Sequence, residues 1–273
     1  MIWNRDKRRQ NATMVREWRA AKAHMLPYLR PSEVKIGPLT FHAFGALVMI
    51  AVLAGAAIVA HRAERLGFPR KVASRLYIWM MVSGFAGAHV AKTIEEGTLW
   101  ADPLALLRVW NGLYSFGGIV GGLLGILCFA RWYRLPRTGL WQFLDVVAYS
   151  FPFAWIFGRL GCSFAHDHPG TRTTSWLGVP FPDGRRFDLG LLEFLFTILV
   201  AAAFLVLDRQ LKQEKRPTGF YFALLLLLYG PFRFFLDGLH VERPHGYLSP
   251  DGCFAIAAML TGLAALVMAR RAA

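Results

Sequence analysis

Seven apolar stretches divide this chain of 273 residues, at about 42–60, 74–92, 113–130, 140–160, 189–207, 219–237 and 252–269. Each is close to the ~20 residues that cross the hydrocarbon of a bilayer as a helix. Helix is the state such runs take in lipid, because every backbone N–H and C=O must be satisfied within the segment. A 55% hydrophobic composition is too apolar for an ordinary soluble domain. The expected fold class is all-α: a polytopic membrane protein with about seven transmembrane helices over residues 36–273, plus surface amphipathic helices. Residues 1–35 read as a separate basic tail without the apolar core of a cleavable signal peptide.

The formal charge is +14. Its basic residues lie mostly between apolar runs, which favours contact with anionic lipid surfaces over nucleic acid. Arg62, Arg65, Arg70 and Lys71 follow the first run, and Arg131, Arg134 and Arg137 the third. Arg209, Lys212, Lys215 and Arg216 follow the fifth, and Arg270 and Arg271 the seventh. The positive-inside rule puts these segments in the cytoplasm and the N-terminus outside. The tail opposes this, with Arg5, Lys7, Arg8 and Arg9 near its start. Met14, Trp18, Ala21, Met25 and Leu29 fall at helical spacing there, as in an amphipathic helix lying on a membrane. Residues 96–112, with Trp100, Trp110, Leu104 and Leu107, read as a second surface element. The connection 163–188 is too polar for lipid and is expected outside it or lining a cavity. Three cysteines, Cys128, Cys162 and Cys253, have neither disulfide-framework nor zinc-motif spacing.

Two arginines stand within or at the rim of apolar runs. Arg159 lies in Gly158-Arg159-Leu160-Gly161-Cys162, and Arg233 in Pro231-Phe232-Arg233-Phe234-Phe235-Leu236-Asp237. A guanidinium in hydrocarbon is costly and keeps its proton, so it faces a partner or a wet cavity. Arg159 is followed by His166, Asp167, His168, Pro169 and Gly170. One reading is a headgroup site in which Arg159 binds phosphate and Asp167 or a histidine handles a proton; the other is interfacial snorkelling. His166 and His168 alone make weak metal ligands. Arg233 and Asp237 are four apart and can pair on one helix face, structurally or to orient the arginine. Gly117, Gly118, Gly121, Gly122 and Gly125 allow close approach of a helix or of a ligand. Asp145 and Glu193 are candidate partners for an arginine, and His42 and His89 read as structural.

Together these clusters resemble the prolipoprotein diacylglyceryl transferase family. The resemblance runs from about residue 34 to the end and includes His42-Ala43-Phe44-Gly45 at the first span, the Arg159 motif and the Arg233 motif. It implies a multi-pass protein of the bacterial inner membrane. The implied reaction moves the diacylglyceryl group of phosphatidylglycerol onto the lipobox cysteine thiol of a prolipoprotein signal peptide, releasing glycerol phosphate. It requires no metal or nucleotide, so no cofactor is expected. Arg159, Arg233, Asp237, Gly170, Cys162, Gly117 and Gly118 are the expected substrate-binding residues, with Gly170 turning tightly over the headgroup. His166, Asp167 and His168 are the expected catalytic ones. The family pattern has asparagine at Cys162, glutamate at Asp167, tyrosine at Phe44 and histidine at Phe116, while Gly170 and Asp145 match it. The alternatives are a paralogue that binds phospholipid without turnover or uses another acceptor, and a small-solute transporter, for which no paired broken helices are evident.

Overall fold

The computed structural model describes residues 34–36, 39–41, 43–108, 112–211, 216–241 and 249–272. A short antiparallel pair, β1 (Val34–Ile36) and β2 (Leu39–Phe41), precedes the helices. The long helices are α1 (Ala43–Arg65), α2 (Arg70–Glu95), α4 (Ser115–Trp132), α5 (Arg137–Ala165), α6 (Leu189–Gln210), α7 (Phe220–Gly238) and α8 (Pro250–Ala272). Between α2 and α4 lie the four-residue α3 (Thr98–Ala101) and a 3-10 turn, Pro103–Leu107. Six of the seven long helices among the described residues are long and apolar enough to cross a membrane. The protein is thus a multi-pass membrane protein. The remaining long helix, α2, has 26 residues but carries Arg70, Lys71, Arg75, Lys92 and Glu95 toward its ends.

The helices associate mainly in pairs, α2 with α4, α7 with α8, and α1 with α5, while α6 packs on α5. Without a hydrophobic drive between helices in lipid, close packing must supply the attraction, and small residues permit it. At Gly117 an added Cβ would stand 2.2 Å from Ala91 Cβ, and at Gly121 2.4 Å from the Ser83 carbonyl oxygen. Gly118 faces Ala88 and the Gly84 carbonyl. The glycine run is therefore a helix-packing stripe, and Gly117 and Gly118, expected to bind substrate, stand within it.

Alternation of the helices brings the Arg-rich connections to one end. Val59, Ala63, Leu76, Phe129, Phe143 and Val146 form a buried apolar cluster there. Nearby, Arg62 Nη2 donates to Asp208 at 2.8 Å and the guanidinium carbon lies 3.5 Å above the Tyr149 ring. Arg216 meets the same carboxylate and Tyr221. Asp145 serves this end too: it accepts from the Phe222 N–H at 3.0 Å in the first turn of α7, a helix cap rather than an arginine partner. The tail helix expected over residues 14–29, with His42 and Trp110, lies outside the described residues. Trp100 and Leu107 are exposed on the surface element before α4. His89 is buried, with Nε2 3.2 Å from the Leu106 carbonyl, a structural placement.

At the opposite end the polar connection after α5 forms a three-stranded antiparallel sheet in the order β3 (Pro169–Arg172), β5 (Gly184–Asp188), β4 (Gly178–Phe181). Gly170 pairs with His240 beyond α7, and the Thr171 N–H donates to the Leu239 carbonyl at 2.8 Å. This docks the sheet onto the helix bundle.

Candidate functional site

The site is built where α5 ends and α6 begins. His166 closes α5 in the left-handed conformation, φ 51°, and its N–H donates to the Cys162 carbonyl at 2.9 Å. Asp188 caps α6, with Oδ1 accepting from the Leu191 N–H at 3.1 Å. Its other oxygen lies 2.6 Å from His166 Nδ1. The Leu189 N–H donates to the His168 carbonyl at 3.1 Å. Residues 166–168 are thereby clamped to the start of α6. The His166 side chain is buried against Asp188 and Phe181, which makes it part of the clamp. His166, expected to accept a proton, has its Nδ1 against Asp188.

The clamp turns the next two side chains back over the end of α5. Cys162 Sγ, an Asp167 carboxylate oxygen and a His168 ring nitrogen all lie within 4.8 Å of one another. Asp167 Oδ1 is 3.6 Å from His168 Nε2. Burial, the larger effect, holds the His168 imidazole below its ordinary range, while Asp167 pulls the other way.

Deeper in the bundle, Arg159 and Arg233 meet on one carboxylate. Arg159 Nε lies 2.8 Å from Glu193 Oε1, an ionic approach in which the N–H is not aimed at that oxygen. Arg233 Nη1 lies 3.6 Å from Glu193 Oε2, and its Nη2 donates to Asp251 at 2.5 Å. Glu193 Oε1 also accepts from Tyr229 at 2.6 Å and from the Trp155 indole at 2.9 Å. The Glu193 side chain is 1% exposed and that of Arg159 8%, against 28% for Asp251. Arg159 Nη1 reaches toward Cys162 Sγ at 3.7 Å, which joins the arginine pair to the Cys162 cluster. The guanidinium also lies 4.8 Å from the Trp155 ring centroid.

Glu193 is thus the arginine partner that the sequence suggested, and it serves both arginines. Asp237 is not. It accepts from Ser249 at 2.6 Å, so the expected Arg233–Asp237 pair is replaced by Arg233–Asp251. Gly170 is not in a turn either. It lies in β3, where an added Cβ would stand 2.9 Å from Leu189 Cδ2 and 3.0 Å from the Phe187 carbonyl oxygen. Its lack of a side chain lets the sheet close against α6. Asp251, Tyr229 and Trp155 were not anticipated. The spacing of Trp155 to Arg159 and of Tyr229 to Arg233, each i to i+4, is the sequence signal that could have found two of them.

The family profile described as prolipoprotein diacylglyceryl transferase matches residues 31–268. The chain belongs to the prolipoprotein diacylglyceryl transferase family. Several relatives carry the name phosphatidylglycerol–prolipoprotein diacylglyceryl transferase. That of Nitratidesulfovibrio vulgaris (strain DP4) is 29% identical over 82% of this chain and 86% of its own length. That of Chromohalobacter salexigens is 29% identical over 90% and 94%. That of Pseudoalteromonas atlantica is 30% identical over 80% and 78%. Where the family resemblance expects a histidine, Phe116 packs edge-on against Phe254 of α8, with ring centroids 5.5 Å apart. Where it expects a tyrosine, Phe44 lies over Gly161, whose added Cβ would stand 2.9 Å from Phe44 Cδ2.

Proposed function

We propose that this chain transfers the diacylglyceryl group of phosphatidylglycerol to the thiol of a lipobox cysteine in prolipoproteins, releasing glycerol phosphate, in the bacterial inner membrane. The observation that carries the reading is the meeting of Arg159 and Arg233, from two separate helices, on the buried Glu193. Glu193 between the two guanidiniums holds them side by side, and Asp251 supplies the second carboxylate that balances their charge. The lipid phosphate would bind between them by displacing Asp251, the more exposed partner. As the glycerol C–O bond breaks, the leaving phosphate gains negative charge, which preorganised guanidiniums stabilise at no cost of reorganisation. The acceptor thiol attacks the glycerol carbon after losing its proton to His168 or Asp167 at the mouth of the site. The basic end of the bundle lies in the cytoplasm in this reading, so transfer takes place near the outer face.

The test is an assay of purified protein with phosphatidylglycerol and a lipobox peptide, read by the mass of the diacylglyceryl peptide. Product forms with the wild type. Arg159→Ala and Arg233→Ala each lower the rate by roughly the 10²–10³-fold typical of a lost charge-stabilising donor. Absence of product with every phospholipid offered contradicts the reading. Phe116 favours a second reading, because its ring neither takes nor gives a proton: a paralogue that binds phospholipid without turnover. It predicts co-purified phospholipid and an unmodified peptide in the same assay.

A further inference from the structure

The basic end of the bundle carries a recess that the transfer reaction does not use. Helices α1 and α6 both pack on α5 and make little contact with each other. Between them, over α5, lies an open cavity of about 420 Å³. That size is within the ~300–1,000 Å³ of small-molecule sites. Its lining is graded along the helix axes. Ala57, His61 and Arg65 follow one another at intervals of four on α1 and share one face. Ile58 stands one turn deeper in the bundle than Arg62, and on α5 Phe153 stands one turn deeper than Tyr149. On α6, Leu205 lies one turn deeper than Asp208. Each of the three helices thus sets an apolar side chain toward the bilayer centre and a polar one at the rim, about 5–6 Å apart. An amphiphile whose charged head adjoins hydrocarbon matches this order, whereas a soluble ion or an apolar molecule matches only half of it.

Charge at the rim selects among amphiphiles. Arg62 Nη2 donates to Asp208 at 2.8 Å while its guanidinium covers the Tyr149 ring, so this pair forms the wall. Arg216 meets the same carboxylate, which leaves two guanidiniums against one acid. Arg65 is exposed and forms no ion pair among the described residues, and the exposed His61 stands one turn before it. The rim is therefore net positive, and Arg65 offers the planar donor fork that suits a phosphate. A zwitterionic head would bring its own cation to these guanidiniums, and an anionic head would not.

We propose that this recess binds an anionic phospholipid of the cytoplasmic leaflet, with its phosphate on Arg65 and His61 and an acyl chain along Ile58, Phe153 and Leu205. The leaflet follows from the basic end lying in the cytoplasm, where anionic lipids attract basic side chains. The lipid fills the space between α1 and α6 and ties together two helices that the protein leaves apart. It is not the lipid placed at the arginine pair. On α5, Arg159 lies ten positions beyond Tyr149, about 15 Å along the axis toward the opposite end. The site stands on its own geometry and does not depend on the transferase reading.

The experiment is native mass spectrometry of the full chain carrying Arg159→Gln and Arg233→Gln, which weakens the other phosphate site. The probes are phosphatidylglycerol and phosphatidylcholine with identical acyl chains. The expected result is one phosphatidylglycerol held per chain in preference to phosphatidylcholine. Adding Arg65→Gln lowers that affinity by roughly five-fold, the factor equivalent to ~1 kcal/mol for one basic residue. Ala57→Trp, which fills the recess, removes the bound lipid. Both positions are exposed, so neither change disturbs packing. The same two variants made in the otherwise wild-type chain each weaken or remove one lipid, which keeps the test decisive where the arginine double variant does not fold. Equal affinity for the two lipids, or an affinity unchanged by Arg65→Gln and by Ala57→Trp, overturns the site. A dimer mass that disappears in Ala57→Trp, with no lipid held, overturns it in favour of a second copy of the chain.

Discussion

At the scale of single residues, the decisive group is a carboxylate. Glu193 accepts from Tyr229 and Trp155 and is approached by both arginines, while fully buried. Two guanidiniums brought together without it would repel in a low-dielectric setting. Breaking a buried ion pair by removing one partner costs about 3–5 kcal/mol, because the remaining charge is left uncompensated. Glu193→Gln keeps the shape and removes the charge, so it should lower the unfolding midpoint in detergent by an amount of that order. Tyr229→Phe, which removes one donor to that carboxylate, should cost less, about 1.5–3 kcal/mol. Equal midpoints for the two variants would mean that Glu193 carries no special load. The sequence pointed to Glu193 as an arginine partner but paired Arg233 with Asp237. Spacing of four within a helix permits a pair, yet only packing decides whether the facing helix offers a nearer one, as Asp251 does.

At the scale of elements, the closest contact is between α2 and α4. A side chain at Gly121 would meet the Ser83 carbonyl at 2.4 Å and Gly87 Cα at 3.0 Å, both backbone atoms that cannot turn aside. Gly121→Leu is therefore expected to separate the two helices and to abolish the monodisperse size-exclusion peak. Gly45→Ala, with nothing within 4 Å of the added Cβ, should leave the peak unchanged. A normal profile for Gly121→Leu would contradict the packing described. The helices themselves were legible because their apolar runs are long, although their ends were not. The last expected residue of the fourth span was 160, whereas α5 continues to Ala165 and carries Cys162 and Ser163 within it. The sheet of β3, β4 and β5 was not legible. Its strands have four or five residues with Gly, Arg and Pro among them, and no alternation of apolar and polar side chains marks a face. Their partner in part is His240, some seventy residues away in the chain from Gly170, which no local pattern reveals.

At the scale of the whole molecule, the bundle has a basic end and a reactive end. The Arg62–Asp208–Arg216 cluster ties the ends of α1 and α6 to the connection before α7 at one, and the arginine pair lies toward the other. Charge along the chain made this polarity readable, since four Arg-rich segments follow the first, third, fifth and seventh long helices, α1, α4, α6 and α8. That two arginines 74 positions apart, Arg159 and Arg233, share one partner is a property of the assembled bundle alone. The most direct measurement is a double-substitution cycle, Arg159→Gln, Arg233→Gln and both, read as phosphatidylglycerol affinity by native mass spectrometry. Diacylglycerol, which lacks the phosphate, serves as the comparison lipid. The account predicts that each substitution weakens phosphatidylglycerol, that the two losses are coupled by about 0.5–3 kcal/mol, and that diacylglycerol binding is unchanged. Wild-type affinity for phosphatidylglycerol in the double variant, or an equal loss for diacylglycerol, would contradict it.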